Sequence, residues 1–307
     1  QRAAFVRVGT RKTQFCENDI RCVERAVFER AVSTQRAAQD TINITMSIES
    51  QHNHARSTRR RGTFVLGTFV DSLSWEEALD RLTAWAASRE SRYICICNVH
   101  SVVTASRDAG FSRILNQSDL TTPDGMPVAW ALRWLGFHRQ QRINGPDLMW
   151  RYLAEAEKQG QIVFFYGSTD RTLAKLHENI LKSFPSIRIG GMLAPPFTAT
   201  PQIDADAIAA INASGASTVF VGLGCPEQEQ WMALHRGRVQ AVIVGVGAAF
   251  DYHAGTLKRA PIWMQHHGLE WLYRLVTEPR RLWKRYLVTN ALFLCGIFRQ
   301  IVLKQPR

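Results

Sequence analysis

The sequence predicts an α/β fold with a mainly parallel sheet that is covered by helices on both faces. Two observations carry this prediction: short continuous apolar runs, and helical patterns that alternate with them. Continuous rather than alternating apolar runs are typical of parallel strands buried on both faces, and strands that alternate with helices indicate βαβ units. The predicted strands are Tyr93–Cys97, Ile162–Tyr166, Thr218–Val221 and Ala241–Val244.

Helical patterns fill the intervals between these runs. Upstream of them, Thr63–Val70 is predicted to be extended, and Ser74 with Glu77 forms a capping box at the start of the first helix. Together these patterns predict one α/β domain over residues 63–260. The remaining predicted helices are Ser101–Leu115, Pro127–Leu135, Asp147–Gln159, Asp170–Lys182, Asp204–Ala213 and Glu227–Arg236.

Positive charge is concentrated at the two ends of the chain. The formal net charge is +12, and residues 1–62 hold twelve Lys and Arg against six Asp and Glu. Residues 256–307 hold ten Lys and Arg against two Asp and Glu, so the residues between these two ends carry a slight negative net charge. This distribution argues against a general nucleic-acid binder, which spreads a basic stripe over its folded face. It suits an enzyme with a basic end that meets an anionic surface.

The two basic ends are predicted to differ in structure. Residues 1–62 alternate between Arg-rich and Gln/Ser/Thr-rich stretches, so we expect a basic, disordered N-terminal extension. We expect no secretory signal, because the first residues contain no apolar run long enough to form the core of a signal peptide. Residues 261–307 are predicted to form a cationic helical appendage. Its longest apolar stretch, Tyr286–Phe298, is too short to span a membrane, but its interleaved aromatic and basic residues favour a membrane interface.

Glycine-containing turns follow three of the predicted strands. In open α/β sheets, ligands bind beyond the carboxyl ends of the strands. Glycine lets the backbone approach a ligand there, and the amides that open the next helix suit a phosphate. Each turn alone could be simple turn geometry, but three in one sheet favour a nucleotide or diphosphate site. The turns are Tyr166-Gly167-Ser168, Gly222-Leu223-Gly224 and Gly245-Val246-Gly247.

Two common kinds of site are poor fits. No turn matches the G-x-G-x-x-G dinucleotide motif with its acidic partner, nor the phosphate-binding loop G-x-x-x-x-G-K-[ST], so an NAD-dependent oxidoreductase is disfavoured. Cys95 and Cys97 form a C-x-C pair, but no second pair follows at zinc spacing. We therefore predict no metal site and no cofactor, and expect these cysteines to be buried free thiols in a reducing cytoplasm.

Seven motif blocks occur in order over about residues 63–290. They are Asn98–Val103, Thr122–Pro127, Arg142–Leu148, Phe165–Ser168, Gly222–Glu229, Gly245–Asp251 and Gly255–Arg281. In sequence and spacing they resemble the WecG/TagA/CpsF family, glycosyltransferase family 26. The resemblance implies a Rossmann-like catalytic domain with a C-terminal helical appendage. It also implies inverting, metal-independent sugar transfer from a nucleoside-diphosphate donor to a sugar on undecaprenyl diphosphate, at the cytoplasmic face of the membrane.

Asp124 matches the general base proposed for this family. Inverting transfer needs a carboxylate that takes the proton of the acceptor hydroxyl as the sugar carbon is attacked. Asp124 lies between Pro123 and Gly125, in a turn where a carboxylate can face a ligand. The alternative is an aspartate that only stabilises a turn or caps a helix. The matched motif favours the catalytic interpretation.

Two further residues match pocket positions of the family, and two more are candidates for substrate contact. Asn98 ends the first core strand, and Gln228 is expected near donor or acceptor, although it could instead be a solvated helix position. Arg142 and Asp147 flank Gly145. Either can contact substrate, or the two can form a purely structural ion pair with each other. Both alternatives stay open from sequence alone.

Arginines of the appendage match residues thought to close over the active site. Arg274 and Arg281 fill two of these positions, and Arg285 or Lys284 fills the third. A leaving nucleoside diphosphate gathers negative charge, so without a metal a cationic group must stabilise it. The alternative is a solvated cationic helix face.

The donor sugar stays open at this stage. UDP-N-acetylmannosamine, UDP-N-acetylmannosaminuronate and UDP-glucose are all used in the family, for teichoic acid, antigen or exopolysaccharide synthesis. We expect a peripheral enzyme on the inner face of the cell membrane that binds no nucleic acid and can form a homo-oligomer. A non-catalytic membrane-surface or nucleic-acid-binding module is the alternative. It explains the basic ends but not the glycine turns or Asp124.

Overall fold

A computed structural model describes residues 60–196 and 201–302. Nearly all of the predicted N-terminal extension lies outside the described residues. Six parallel strands form one sheet in the order β4-β3-β8-β7-β5-β6, and β1 and β2 form a separate antiparallel hairpin. The strands are β1 (Gly62–Val65), β2 (Thr68–Asp71), β3 (Arg92–Cys97), β4 (Leu120–Pro123), β5 (Ile162–Gly167), β6 (Arg188–Leu193), β7 (Thr218–Gly222) and β8 (Val242–Gly245).

Helices connect the strands and form the C-terminal segment. Six of the twelve described helices begin at a residue whose side chain accepts a hydrogen bond from the first turn, as Ser74 does from Glu77. The helices are α1 (Trp75–Ala87), α2 (Val99–Ala105), α3 (Ala109–Asn116), α4 (Met126–Trp134), α5 (Gly145–Lys158), α6 (Asp170–Ser183), α7 (Ala205–Ala213), α8 (Glu227–His235), α9 (Ala249–Ala254), α10 (Ile262–His266), α11 (Glu270–Thr277) and α12 (Pro279–Val302).

The parallel sheet separates two hydrophobic cores. Val163 and Phe165 of β5 lie in one core, whereas Phe164 and Tyr166 lie in the other. Alternate residues of one strand point to opposite faces of a sheet, so both faces of β5 are buried. This arrangement confirms the predicted α/β class and explains why the strand is continuously apolar.

Three local predictions differ from the structure. Thr63–Val70 is a hairpin rather than one extended segment, because Leu66 and Gly67 turn the chain with φ angles of +50° and +86°. The predicted helix Ser101–Leu115 is divided into α2 and α3, because Asp108 caps the start of α3. Strands β4 and β6 at the two edges of the sheet were not predicted.

The C-terminal segment packs on the same body as the sheet. Leu282, Phe293 and Ile297 of α12 are buried, and the last two belong to a core of the α/β domain. Near the end of α12, the Gln300 side chain accepts a hydrogen bond from Leu66 N and donates one to a hairpin carbonyl. None of the described helices, α12 included, has the length and hydrophobicity needed to cross a membrane.

Candidate active site

A cavity of about 480 Å³ lies beyond the carboxyl ends of four neighbouring strands, β4, β3, β8 and β7. Residues of α11 and α12 close its other side. This is the position where open α/β sheets bind ligands. The residues predicted from sequence that line it are Asn98, Asp124, Arg142, Gly222, Gly224, Gln228, Gly245, Gly247, Arg274, Arg281 and Arg285.

Asp124 lies directly after β4 and is held through one oxygen of its carboxylate. Its backbone amide continues the ladder to β3 by donating to Cys97 O at 2.8 Å. Its Oδ1 accepts hydrogen bonds from Gly125 N at 2.7 Å and from Arg142 Nε at 3.1 Å. Its Oδ2 has no hydrogen-bond partner in the described part of the chain, and the side chain is 20% exposed. The carboxylate is thus oriented through Oδ1, with Oδ2 left for a ligand.

Arg142 lies between two carboxylates. Besides Asp124, it contacts Glu270 of α11, with 2.7 Å between Arg142 Nη2 and Glu270 Oε2. Burial opposes the charged form of Arg142, but the two carboxylates more than offset this and raise the pKa of its guanidinium. Arg142 is therefore a permanent cation at the base of the cavity. It does not form the ion pair with Asp147 that the sequence left open.

Asp147 pairs instead with Arg259. Arg259 Nη1 and Nη2 donate to its two carboxylate oxygens at 2.5 and 3.1 Å, and Asn144 Nδ2 donates at 2.7 Å. Burial opposes ionisation, but these hydrogen bonds lower the pKa of Asp147. The Asp147 side chain fixes the start of α5 and does not line the cavity.

Asn98 caps helix α2 at the edge of the cavity. Its Oδ1 accepts hydrogen bonds from His100 N and Ser101 N at 2.9 and 3.2 Å. The orientation of its side chain is therefore set, and its amide group is available to a ligand. His100 also lines the cavity, and burial together with the nearby charge of Arg285 lowers the pKa of its imidazole. His100 is neutral at physiological pH for this reason.

Gln228 is a buried residue that shapes the floor of the cavity, not the solvated helix position that the sequence allowed. Its Oε1 accepts from Gly247 N at 3.0 Å, and its Nε2 donates to Glu229 Oε1 at 2.9 Å. Burial raises the pKa of Glu229 to about 7. A Cβ on Gly245 would come within 2.7 Å of Met232 and 3.2 Å of Gln228. The glycine is thus required for this close approach.

Three arginines of α11 and α12 form a cationic wall of the cavity. Arg281 pairs with Glu278 at 2.5 Å, and Arg274 lies 3.8 Å from the same carboxylate. The Nε atoms of Arg274 and Arg285 are buried and have no hydrogen-bond partner among the described residues. Arg285 lines the cavity and Lys284 is exposed outside it. The geometry therefore favours Arg285 for the third position.

Gly167 and Ser168 do not line the cavity. Gly167 ends β5, and its φ angle is +124°. A Cβ there would lie 2.7 Å from backbone atoms of Gly222 in β7. The predicted role of the Gly167 turn in ligand binding thus has no support from its position, because the glycine allows two strand ends to approach each other.

Sequence reasoning missed four residues of the site, one of which is His100. Glu270 and Tyr252 line the cavity, and Arg259 supports it through Asp147. Burial raises the pKa of Tyr252 to about 12, and its hydroxyl has no partner among the described residues. Glu270 and Arg259 lie inside the last motif block, which could have marked them as site residues. Their partners, Arg142 and Asp147, are more than 100 positions away in the sequence and could not be inferred.

Residues 60–196 and 201–302 contain no group of three or more His, Cys, Asp or Glu that could hold a metal ion.

Comparison with known proteins agrees with the motif blocks. The chain matches the model of the glycosyl transferase WecG/TagA/CpsF family over residues 63–307. It is 35% identical over 228 residues to an N-acetylglucosaminyldiphosphoundecaprenol N-acetyl-β-D-mannosaminyltransferase of Bacillus spizizenii, covering 71% of this chain and 84% of the relative. It is 33% identical over 195 residues to the protein of that name from Bacillus subtilis, covering 63% and 74%. The resemblance inferred from the motifs is confirmed: the chain belongs to the WecG/TagA/CpsF family of glycosyltransferases.

Proposed function

We propose that this glycosyltransferase moves a sugar from a UDP-sugar to a glycan on undecaprenyl diphosphate, with inversion and without a metal ion. One observation carries the proposal. The cavity is lined both by Asp124, whose Oδ2 has no hydrogen-bond partner among the described residues, and by Arg274, Arg281 and Arg285 of the appendage. A base and an anion-binding wall facing one space are what this reaction requires.

The proposed chemistry is a single displacement. Asp124 Oδ2 takes the proton of the acceptor hydroxyl while the hydroxyl oxygen attacks the anomeric carbon of the donor sugar. The new bond joins that oxygen to the anomeric carbon. The bond from that carbon to the diphosphate breaks, and UDP leaves with the electron pair. Attack opposite the leaving group inverts the anomeric configuration.

The cationic wall is proposed to stabilise the leaving group. Negative charge grows on the diphosphate as the glycosidic bond breaks, and guanidinium groups form strong charge-assisted hydrogen bonds to phosphate oxygens. Arg274, Arg281 and Arg285 lie together on the appendage side of the cavity. Neutral His100, which lies near Arg285, and Asn98, which caps the start of α2, also line the cavity.

The relatives suggest the first donor and acceptor to test. Both are named for transfer of N-acetyl-β-D-mannosamine to N-acetylglucosaminyldiphosphoundecaprenol. We propose this acceptor class for the chain, and UDP-N-acetylmannosamine as its first candidate donor. UDP-N-acetylmannosaminuronate and UDP-glucose are the two further donors to be compared.

The appendage is proposed to hold the enzyme on the inner face of the cell membrane. Large apolar side chains are exposed along α10 to α12, and basic residues such as Lys284 and Arg299 are exposed beside them. Exposed apolar residues interleaved with Lys and Arg suit an anionic membrane surface. The most exposed side chains are Ile262, Trp263, Val276, Leu287, Leu294, Phe298 and Val302.

The decisive experiment is a donor screen with the lipid-linked acceptor in the presence of a chelator. We expect transfer to persist with chelator and to fall by about 10²- to 10⁴-fold in Asp124→Asn, the range that a general base contributes. Asp108→Asn is the matched control, because Asp108 caps α3 away from the cavity and asparagine caps equally well. Undiminished transfer by Asp124→Asn would refute the base assignment. Absence of transfer from every UDP-sugar would favour a non-catalytic module.

A further inference from the structure

Glu270 joins the C-terminal helices to the base of the cavity. It lies at the start of α11, and its Oε2 is 2.7 Å from Arg142 Nη2. The Nε atom of the same guanidinium lies 3.1 Å from Asp124 Oδ1. The side chains of Arg142 and Glu270 are each only 14% exposed. The three groups form a chain of ion pairs in which the appendage supplies the last carboxylate.

This arrangement constrains how Asp124 can point. A guanidinium is planar and rigid, so the attraction of the Glu270 carboxylate on Nη2 limits how the plane in which Nε donates can turn. Arg142 Nε and Gly125 N both donate to Oδ1 of Asp124, which leaves Oδ2 facing the cavity. We propose that Glu270 is a positioning residue that, through Arg142, holds Asp124 ready to accept a proton. This inference rests on the proposed role of Asp124 as the base.

The charge of Glu270 also keeps Arg142 away from the substrate. Without Glu270, the partly buried Nη2 of Arg142 would lose its anionic partner, and the diphosphate of the substrate would be a strong competitor for it. Arg142 could then turn from Asp124 towards the diphosphate. With Glu270 in place, the diphosphate is left to the three arginines of the appendage, and Arg142 serves the base.

Helix α12 is docked by residues other than Glu270. Helix α12 is anchored by buried Leu282, Phe293 and Ile297, and by the hydrogen bonds of Gln300 to the hairpin. Replacing Glu270 by glutamine keeps its size and removes its charge. We therefore expect the variant to keep the appendage in place, so that a loss of activity reports on Arg142 and Asp124.

The test measures kcat and KM of the full-length enzyme for Glu270→Gln. An interaction that serves only the transition state lowers kcat and kcat/KM together and leaves KM unchanged. We expect kcat to fall about 10-fold, less than the full contribution of a general base. In an Arg142→Met background the same substitution should have no further effect, because residues that act through one another are non-additive.

Glu278→Gln is the matched control. Glu278 is the other acidic residue of the appendage, but it pairs with Arg281 and Arg274 rather than with Arg142. Its substitution acts on the arginine wall and not on Arg142, so its effect should be additive with that of Arg142→Met. If Glu270→Gln does not fold, as judged by the absence of a melting transition, Glu270→Asp is used instead. This variant keeps the negative charge but moves the carboxylate away from Arg142 by the length of one methylene group. That variant is then expected to show the same loss of kcat.

Three outcomes decide the inference. A fall in kcat that disappears in the Arg142→Met background supports it. A change confined to KM, or effects of Glu270→Gln and Arg142→Met that add, would overturn it, because Glu270 would then act only on substrate binding. Full activity of Asp124→Asn would instead remove the proposed base, so failure of the inference and failure of the proposed function are distinguishable.

Discussion

The buried acceptor Glu270 Oε2 makes no hydrogen bond in the described part of the chain and is held only by its ion pair with Arg142. Three buried donors of cavity-lining residues also have no hydrogen-bond partner there: Tyr252 Oη, Arg274 Nε and Arg285 Nε. Each such group disfavours the folded state by about 1–3 kcal/mol. Their concentration in one cavity is best explained by a bound anion that supplies the missing acceptors. Because the pKa of Tyr252 is raised to about 12 by burial, its hydroxyl keeps its proton at neutral pH and can donate.

Tyr252→Phe is expected to weaken binding of UDP about 10-fold, because a hydrogen bond to a charged group contributes about 1.5–3 kcal/mol. Its melting temperature should be equal or higher, since an unpartnered hydroxyl is removed. Titration calorimetry and thermal melts measure both. Tyr152→Phe provides the contrast: the Tyr152 hydroxyl bonds to Thr218 and Gln161 outside the cavity, so this variant should lose stability and keep UDP affinity. Unchanged UDP affinity of Tyr252→Phe would contradict the anion site.

At the residue scale, motif position and contact geometry carry different information. Asp124 and Gln228 could be placed near the site from sequence, because each follows a strand within a recognisable block. The partners of Arg142 could not, since Glu270 is more than 100 positions away and belongs to a helix whose docking no local pattern specifies. The partner of Asp147 could not be predicted either. Arg142 is close to Asp147 in the sequence, but Asp147 pairs with Arg259 in the structure.

At the scale of elements, the central strands were predictable and the edge strands were not. Strands β3, β5, β7 and β8 are buried on both faces and therefore continuously apolar. Strand β4 contains Thr121 and Thr122, which bond to neighbouring side-chain and backbone groups. Strand β6 is half-exposed and contains Gly190 and Gly191. Neither carries the apolar run on which the prediction depended.

The glycine turns illustrate a second limit of sequence reasoning. Glycine after a strand allows close approach, but the pattern does not say what approaches. The Gln228 side chain approaches Gly245 and Gly247 at the floor of the cavity. The end of the neighbouring strand, at Gly222, approaches Gly167. Two glycine turns that both follow strands of one sheet therefore have different roles.

Gly167→Ala is expected to destabilise the fold without acting on the ligand directly. Its φ of +124° disfavours any side chain by about 1–3 kcal/mol, and the clash with Gly222 adds about 1–3 kcal/mol. Urea unfolding should show a total loss of about 3 kcal/mol or more. Gly136→Ala is the matched control, because Gly136 has a φ of +105° but open space around it, so only the backbone strain applies. A loss of UDP affinity in Gly167→Ala at unchanged stability would restore its predicted binding role.

At the scale of the whole molecule, one helix links the cavity to the proposed membrane surface. Arg281 and Arg285 of α12 line the cavity, Phe293 and Ile297 enter the core, and Phe298 is 67% exposed. The basic C-terminal segment is thus not an appended tail but a wall of the site. If α12 meets the membrane as proposed, an acceptor whose lipid remains in the bilayer can reach the site, because the helix proposed to contact the lipid also lines the cavity.

The double variant Leu287→Glu with Phe298→Glu tests this surface. Both side chains are about two-thirds exposed, so the fold should be retained. Burying one such side chain contributes about 1.5–3 kcal/mol, so affinity for anionic vesicles should fall by about two orders of magnitude. Transfer to a short, water-soluble diphosphate acceptor should be unchanged, since neither residue lines the cavity. Ile203→Glu, an exposed apolar residue outside the appendage, is the control and should bind vesicles normally. Equal vesicle binding by the double variant and the wild type would show that this face does not meet the membrane.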